Sequence, residues 1–404
     1  MATEVYATDI VGWLQLVPVI NATGTVTRLG ASPIDAGVIA AMSAASQLCV
    51  DMAELQARAS RIISQCTGAE AGIVTAGAMA GLLAGAAACI AGLDPIKMAK
   101  LPDTDGMRNE FIVARSHRNS YDHGVRAAGA RLVEVGLPDR LTACGVRDTE
   151  AWEIAGAISE RTAGILYLAR ADSRPALEEV VRVAHAARLP VLVDAAAELP
   201  PAHNLRRFIE AGADLVVFSG GKSIGGPSAS GILCGRRPLV ASALLQQLDL
   251  DYLYEDWNPP AELINKGDFP GVPRHGIARS CKVGKEQVVG LVAALLRFAQ
   301  ENDEARNRRL SAVTEGLCAA LRRLPGLAVR AIADAAHADL PLVAVDIGTG
   351  AARVAARLRA AAPSIHVDST QADGGTLVLV PTCLKTEDVE AIAAGFAKAL
   401  GSPT

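Results

Sequence analysis

Short apolar runs and helical patterns alternate along the middle of the chain. The runs, rich in β-branched residues, lie at 111–114, 131–135, 164–168, 191–193 and 215–218. Helical spacing of apolar residues at 177–187 and 206–211 separates the later runs. Strands joined by helices pair in parallel, because each return to the same edge of a sheet needs a crossover. The pattern predicts an α/β fold whose large domain holds a mainly parallel, doubly wound sheet covered on both faces.

The run at 231–234 follows the previous strand too closely for a helical crossover, so we expect an antiparallel strand there. Residues 249–281 are irregular, and a loop of this length in a compact protein is usually functional or lies at a subunit interface. A long helical pattern at 283–300 leads into helices and strands that predict a smaller α+β domain. We therefore divide the chain into an N-terminal segment with an active-site loop (1–45), a large domain (46–282), and a linking helix with the small C-terminal domain (283–404).

The amino-acid composition argues against several classes of protein. The 404 residues carry a formal net charge of −4 at pH 7, and aromatic residues make up only 3%. This balance indicates neither a basic surface nor stacking aromatic side chains, so nucleic-acid binding is not expected. Eight cysteines are scattered without a CxxC pair or a Cys/His cluster, so we expect reduced thiols, no metal site and a cytoplasmic protein. No apolar run approaches the roughly 18 residues of a membrane span.

A lysine and an aspartate carry the candidate chemistry. Lys222 ends the turn Ser219-Gly220-Gly221-Lys222 directly after an apolar strand, and Asp194 ends the strand before that one. Lysine amines form Schiff bases, and their pKa falls readily when they are desolvated. An aspartate at a strand end is the partner that a pyridinium nitrogen requires in a pyridoxal-phosphate site. The pair predicts covalent catalysis with pyridoxal 5'-phosphate.

Three further stretches have the composition of a ligand site. A small-residue turn at 77–80 precedes a helix whose first N–H groups suit a phosphate, although small residues there also let a helix pack closely on a sheet. His117, Tyr121 and His123 follow a strand, where open α/β sheets place their ligands. The polar loop 21–30, which contains Thr25, either lines a site or is an ordinary connection.

The order of these features resembles that of fold-type I pyridoxal-phosphate enzymes, the class-V-like aminotransferase superfamily. The segments INATGTVTRLG, SHRNSYDHGVRAAGARLVEVG, VDAAAELPP, FSGGKSIGGPSASGI and ARSCKVGKEQVVGL resemble the branch that contains bacterial selenocysteine synthase and D-glucosaminate-6-phosphate ammonia-lyase. The resemblance covers residues 17–291 and is weak in the C-terminal domain. It implies that the large domain binds pyridoxal phosphate.

The resemblance also implies a role for each motif. Lys222 is the Schiff-base lysine and later moves the α-proton, Asp194 pairs with the pyridine nitrogen, and His117 stacks on the ring. The residues implied to hold the phosphate are Gly77, Ala78 and Ser219. The candidate substrate residues are Thr25, Tyr121, His123 and Arg279. The Arg279 guanidinium suits a carboxylate, and a salt bridge at the surface or between subunits is the alternative.

Differences between this sequence and those of the related enzymes exclude some of the reactions that the family performs. Sulfur-handling relatives place a glutamine or histidine three residues after the aspartate, where this chain has Ala197 followed by Glu198. They also carry a late arginine for the substrate carboxylate, whereas residues 380–383 offer none. A desulfurase is therefore not expected. Two features disfavour tRNA-dependent selenium transfer. The net charge is mildly acidic, and the sequence shows no N-terminal tRNA-binding extension like that of selenocysteine synthase.

We expect an enzyme that abstracts the α-proton of an amino acid or amino-sugar acid and then expels a β-substituent, as an ammonia-lyase does. Racemisation or epimerisation is the first alternative, with His117, Tyr121 or His123 as the second proton donor. Transamination is the next alternative, and a cofactor-retaining binding protein without turnover is the last. Fold-type I sites are generally completed across a dimer interface, so we expect a homodimer or larger symmetric homo-oligomer that acts on a small molecule.

Overall fold

The computed structural model describes residues 10–137, 148–334 and 340–401. The chain forms two compact units, a large one made of Gly30–Asp303 and a small one made of the segments before and after it. The sequence analysis drew the boundaries at 45 and 282 instead. The large unit extends further at both ends because helices at 36–46 and 285–300 pack on its core, through Val38, Val288 and Leu291 among others.

The helices and strands are numbered here in chain order. The strands are β1 (Val19–Ala22), β2 (Ala71–Thr75), β3 (Glu110–Ala114), β4 (Arg131–Val135), β5 (Thr162–Leu168), β6 (Val191–Asp194), β7 (Leu215–Ser219), β8 (Gly231–Gly235), β9 (Ala328–Ala333), β10 (Pro341–Asp346), β11 (Ser364–Val367) and β12 (Thr376–Leu379). The helices are α1 (Ile10–Trp13), α2 (Ala36–Ser46), α3 (Met52–Thr67), α4 (Ala78–Ala91), α5 (Pro95–Lys100), α6 (His123–Ala127), α7 (Ala151–Gly156), α8 (Leu177–Ala186), α9 (Asn204–Glu210), α10 (Arg237–Gln247), α11 (Lys285–Gln300), α12 (Asp303–Leu321), α13 (Ala351–Ala360) and α14 (Asp388–Leu400).

The large unit is built on one sheet with the strand order β2-β8-β7-β6-β5-β3-β4. Strand β3 pairs in parallel with β4 and β5, and the parallel pairing continues from β5 through β6 to β7. Strand β8 runs antiparallel to both β7 and β2. The predicted mainly parallel sheet and the predicted antiparallel strand at 231–234 are both confirmed.

Both faces of this sheet are buried, because successive strand residues point into two different cores. In β7, Leu215 and Val217 face the core that contains α4, whereas Val216 and Phe218 face the other one. Helix α4 lies close on the sheet, since a Cβ atom on Gly81 would already stand 3.1 Å from Val217 Cγ1. The close approach brings the start of α4 to the edge of the sheet where β2 ends.

Helix α3 completes the outer side of β2, which is an edge strand. Gln56 Nε2 donates a hydrogen bond to Val74 O at 2.8 Å, and Val74 N–H donates to Gln56 Oε1 at 2.9 Å. Gly72 N–H donates to Ser60 Oγ at 3.0 Å. Gln56 and Ser60 are both buried, so their side chains replace the missing neighbouring strand.

The small unit has its own core. Strands β12, β10 and β9 form an antiparallel sheet, and Leu317, Val343 and Phe396 are buried between this sheet and the helices. Strand β1 pairs in parallel with β11, from Val19 opposite Ser364 onward. This pairing leaves no local pattern in the sequence, because it joins opposite ends of the chain.

The described residues contain neither a membrane-spanning helix nor a disulfide bond. Among the helices of the described residues, none combines the length and the apolar character that crossing a membrane requires. The cysteines in the described ranges are free thiols.

We expect Gln56→Leu to lower the free energy of unfolding by about 2–4 kcal/mol, because each buried backbone group left unsatisfied costs about 1–3 kcal/mol. Urea unfolding followed by circular dichroism measures this change. Gln65→Leu, at an exposed position of the same helix, is the matched control. Equal midpoints for the two variants would show that the Gln56 side chain does not hold the edge of β2.

Candidate active site

The carboxyl ends of the parallel strands meet at one edge of the large sheet. Asp194 ends β6 and is paired with Leu168, the last residue of β5. Ser219 at the end of β7 and Thr75 at the end of β2 both lie opposite Gly231 of β8. The segments that follow these four strands therefore begin side by side. This edge is where open α/β sheets bind their ligands.

The turn between β7 and β8 holds Lys222 through close backbone contacts. Gly220 N–H donates to Ser230 O, and Gly226 N–H donates to Gly220 O, both at 2.9 Å. A Cβ atom on Gly220 would overlap Ser230 Oγ, so glycine is required there. Ser32 Oγ donates to Lys222 O at 2.8 Å from outside the turn. These bonds fix the backbone from which the lysine side chain projects.

Asp194 is buried and Lys222 half-buried, and the charge of each influences the pKa of the other. Asp194 is 6% exposed, and burial raises the pKa of its carboxyl, opposed by the N–H of Ala196 and by the Lys222 charge. Burial lowers the pKa of the Lys222 amine, opposed by the charges of Asp194 and Glu198. Ala196 N–H donates to Asp194 Oδ1 at 3.1 Å, which fixes the carboxyl group. A lysine in this setting releases its proton more readily than one in water.

The N-terminus of α4 lies on the same edge of the sheet. Gly77 precedes the helix with φ of 114°, and Gly81 N–H donates to Gly77 O as the first helical hydrogen bond. The N–H groups of the first helical turn before Gly81 have no partner within the helix. A Cβ atom placed on Gly77 would meet no described atom within 4 Å apart from its chain neighbours. The turn therefore presents N–H donors and open space to an anion.

His117 ends a 3-10 helix, Arg115–His117, that follows β3 directly. Its ring is 4% exposed and meets the Tyr167 ring edge-on, with 4.8 Å between the ring centroids. Leu168 N–H donates to His117 Nδ1 at 3.4 Å. The accepting Nδ1 places the proton of a neutral ring on Nε2. The structure thus brings His117 to the same edge as Asp194, through Leu168.

Tyr121 and His123 lie after His117 but on the surface. Tyr121 is 58% exposed in the 3-10 helix Ser120–Asp122, and His123 is exposed at the start of α6. Asp122 between them is buried and forms ion pairs with Arg118 at 2.5 Å and with Arg126 at 3.2 Å. The order within this segment comes from the Asp122 ion pairs, which the sequence analysis did not single out.

Arg279 lies in the 3-10 helix Ile277–Cys281 and is paired within its own chain. Its guanidinium donates to Asp249 Oδ2 at 2.8 Å, and His275 Nε2 is 3.4 Å from Asp249 Oδ1. The hydrogen bond from Arg279 lowers the pKa of Asp249. The salt bridge given as the alternative for Arg279 is therefore present, inside the irregular segment 249–281.

Thr25 belongs to the small unit, between β1 and the 3-10 helix Thr27–Leu29. Asn21 organises this loop, since its Nδ2 donates to Gly24 O at 2.9 Å and its Oδ1 accepts from Thr23 N–H at 3.0 Å. Gly24 has φ of 84°, which explains a glycine in the loop. A substrate role for Thr25 stays a prediction.

Glu198 is the group that sequence reasoning passed over. It was noted only as the neighbour of Ala197, yet it is 7% exposed and acts on the charge of Lys222. Burial raises the pKa of its carboxyl to about 7, and Arg207 and Arg170 oppose the rise. The available signal was an acid in a short turn that follows a buried strand, since acids are rarely buried without a reason.

Comparison with known proteins identifies the family. The family described as SelA, L-seryl-tRNA selenium transferase, matches residues 19–251, more than half of the chain. The chain belongs to the SelA family. Its relatives include the fold-type I pyridoxal-phosphate enzymes that the motifs resembled, so this SelA-family chain is an enzyme of that superfamily and its cofactor is pyridoxal phosphate.

Two relatives span nearly the whole SelA-family chain. One is named 5'-C-glycyluridine monooxygenase-decarboxylase, from a Streptomyces species, and is 32% identical over 97% of this chain and 93% of its own. The other is named D-glucosaminate-6-phosphate ammonia lyase, from Salmonella typhimurium, and is 30% identical over 94% of this chain and 95% of its own. A solved structure of D-glucosaminate-6-phosphate ammonia-lyase is 29% identical, covers 99% of both chains and superimposes with a TM-score of 0.78.

The residues at the sheet edge of this SelA-family member fit pyridoxal phosphate chemically. The N–H groups at the start of α4 suit a phosphate, and the open space in front of Gly77 leaves it room. Asp194 offers a buried carboxyl for a pyridinium nitrogen, and Lys222 offers an amine whose pKa is lowered. The N–H groups for a phosphate, the Asp194 carboxyl and the Lys222 amine thus lie along one edge of the sheet.

We expect Gly231→Ala to weaken pyridoxal-phosphate binding by about tenfold, because overpacking costs about 1–3 kcal/mol. The added Cβ atom would stand 2.6 Å from the Gly77 carbonyl carbon and 2.7 Å from Ala78 N, so the turn before α4 must move. Absorbance titration of the cofactor-free protein gives the dissociation constant. Gly271→Ala, where the Cβ position is open, is the control. An unchanged constant in Gly231→Ala would argue against phosphate binding at this turn.

Proposed function

We propose that the protein is a pyridoxal-phosphate-dependent lyase that removes the α-proton of an amino acid or amino-sugar acid and then expels its β-substituent. The observation that carries the proposal is that Lys222, whose amine has a lowered pKa, and the buried Asp194 influence each other's charge at the sheet edge that also holds the start of α4. The near full-length similarity to the relative named D-glucosaminate-6-phosphate ammonia lyase supports it.

The proposed cofactor residues are assigned from their position at the sheet edge and from the family resemblance, and the proposed substrate residues from the resemblance alone. The proposed cofactor residues are Lys222, Asp194, His117, Gly77, Ala78 and Ser219. The proposed substrate residues are Thr25, Tyr121, His123 and Arg279. When bound, pyridoxal phosphate supplies a conjugated ring that delocalises the charge left behind by the α-proton. Asp194 would keep the ring nitrogen protonated, and the fixed His117 ring would keep water from one face.

Lys222 performs the proton transfers in this proposal. Its neutral amine takes the α-proton, and burial helps because it lowers the pKa of the amine. The ammonium so formed can give its proton to the departing β-hydroxyl group, which leaves as water. For a 2-amino-3-hydroxy acid the net products are a 2-oxo-3-deoxy acid and ammonia, since the water lost in elimination returns in hydrolysis.

Oxidative decarboxylation is a second candidate. It is favoured by the relative named 5'-C-glycyluridine monooxygenase-decarboxylase, which is 32% identical over 97% of the chain. Both reactions begin by breaking a bond at the α-carbon, so Lys222 and Asp194 would serve either one. The products separate them, because the oxidative reaction consumes oxygen and releases carbon dioxide, whereas elimination needs no oxidant.

We also propose a cytoplasmic homodimer or larger symmetric homo-oligomer. Tyr252 and Leu253 are exposed apolar side chains within 249–281, the segment that analogy places at a subunit interface. Free thiols, such as the exposed Cys49, suit a reducing compartment. Size-exclusion chromatography with light scattering is expected to give at least twice the mass of one chain, and a monomer at micromolar concentration would contradict the assembly.

We expect Lys222→Ala to lower turnover by about a thousandfold or more, since the variant lacks the group that takes the α-proton. Ammonia and 2-oxo acid release are measured with D-glucosaminate 6-phosphate and with D- and L-2-amino-3-hydroxy acids, beside an oxygen electrode. Lys97→Ala, at an exposed position in α5, is the control.

The same reactions, analysed also for carbon dioxide and by chiral chromatography of the remaining substrate, decide between the candidates. Ammonia and a 2-oxo acid without oxygen uptake support the lyase. Oxygen uptake with carbon dioxide release would replace it by the oxidative decarboxylase, and inversion at the α-carbon without either product would indicate a racemase. A wild-type protein that develops no visible absorption band with added pyridoxal phosphate would contradict all three.

A further inference from the structure

Glu198 lies four residues beyond Asp194 in a turn with a well-held backbone. Glu198 N–H donates to Ala195 O at 3.2 Å, and Asn204 Nδ2 donates to Glu198 O at 2.7 Å. Asn204 is itself buried at the start of α9. Both backbone groups of Glu198 are therefore satisfied, and its side chain starts from a fixed point in the interior of the large unit.

The turn that carries Glu198 is bonded to the turn that carries Lys222. Ser223 Oγ donates to Leu199 O at 2.7 Å, so the residues that follow the two side chains are in direct contact. The Glu198 carboxylate also favours the ammonium form of Lys222. The Ser223–Leu199 bond thus holds together the two turns from which the Glu198 and Lys222 side chains start.

Glu198 also lines a cavity of about 90 Å³ formed by residues after β5, at the start of α8 and on α9. The other polar residues of the lining include Arg170, Ser173, Arg174, Glu178 and Arg207. A water takes about 30 Å³ in the liquid and needs 2–4 polar partners, so this cavity has room and partners for a few waters. Exposed arginines at its rim, among them Arg207, mark where it meets solvent.

Charged groups from several segments face Glu198. Arg207 on α9 and Arg170 after β5 favour its charged form, whereas Asp194 and Asp172 oppose it. Burial is the largest influence and brings the pKa of the carboxyl to about 7. At neutral pH the group therefore exists in both forms, which is the condition for passing protons in either direction.

We propose that Glu198 exchanges protons between Lys222 and water in this cavity. In one direction the Lys222 ammonium gives a proton to the Glu198 carboxylate, which leaves a neutral amine and a neutral carboxylic acid. The acid then releases the proton to cavity water, and the reverse sequence reloads the ammonium. Glu198 acts on the reaction only through Lys222 and is a positioning residue. The inference rests on the proposed function of Lys222.

The first test measures the charge of Lys222 in the cofactor-free protein. Acetic anhydride labels only the neutral amine, and peptide mass spectrometry gives the labelled fraction of Lys222 against pH. In Glu198→Gln the midpoint is expected to fall by about half a pH unit or more, because the variant loses a negative charge that favours the ammonium.

Two control variants separate charge from structure. Glu178→Gln changes an exposed acid of the same cavity and is expected to keep the wild-type midpoint. Glu198→Asp retains a carboxylate and is expected to stay nearer to wild type than Glu198→Gln. An unchanged midpoint in Glu198→Gln, or an equal shift in the Asp and Gln variants, would overturn the proposal.

The second test uses the holoenzyme. The pH midpoint of the visible absorption band of bound cofactor reports the protonation of the Lys222 nitrogen, and it is expected to fall in Glu198→Gln and to stay in Glu178→Gln. A wild-type protein without such a band contradicts the proposed function. A normal band whose midpoint is the same in Glu198→Gln contradicts only the role of Glu198.

Discussion

The burial of an amine beside a carboxyl, Lys222 beside Asp194, is the constraint on which the active edge of the large unit depends. Burial opposes the charged form of each group, lowering the pKa of Lys222 and raising that of Asp194, while their mutual attraction opposes both shifts. Removing such a pair from water costs several kcal/mol per ion, and the attraction often fails to offset the cost. The pair is therefore better explained by chemistry than by stability, since a lysine that gives up its proton readily is a base.

The topology of the sheet places the rest of the site around this pair. Antiparallel β8 stands between β2 and β7, so two interstrand steps, roughly 10 Å, separate the strand that leads into α4 from the strand that leads to Lys222. The N–H groups that suit a phosphate and the Lys222 amine are thereby held apart on one edge of the sheet. Glycine makes the arrangement possible, because Gly231 and Gly220 lie where a Cβ atom would strike a neighbouring backbone or side chain.

The sequence predicted local features well and distant contacts poorly. The runs that became β3 to β8 were recognised from composition, and the antiparallel β8 from its short distance to β7. Lys222 and Asp194 were singled out because Asp194 ends β6 and Lys222 lies in the turn directly after β7, and their roles stay a prediction. The pairing of β1 with β11 was missed, as was the packing of α11 on the large core, since neither leaves a local pattern. The burial of Glu198 was missed for the same reason, because it depends on α9 and on the turn at Ser223.

The same lysine and aspartate would serve several reactions, so the fate of the substrate must depend on the groups around them. In the proposed elimination the departing hydroxyl group needs a proton, which the Lys222 ammonium would supply. Oxidative decarboxylation instead needs charge to remain at the α-carbon until oxygen arrives, which an ammonium beside it would quench. Once the α-proton has been taken, a carboxylate that favours the ammonium form of Lys222 would keep that proton available for the departing hydroxyl group. Through this effect Glu198, four residues after Asp194, would bear on which of the two proposed reactions this chain performs.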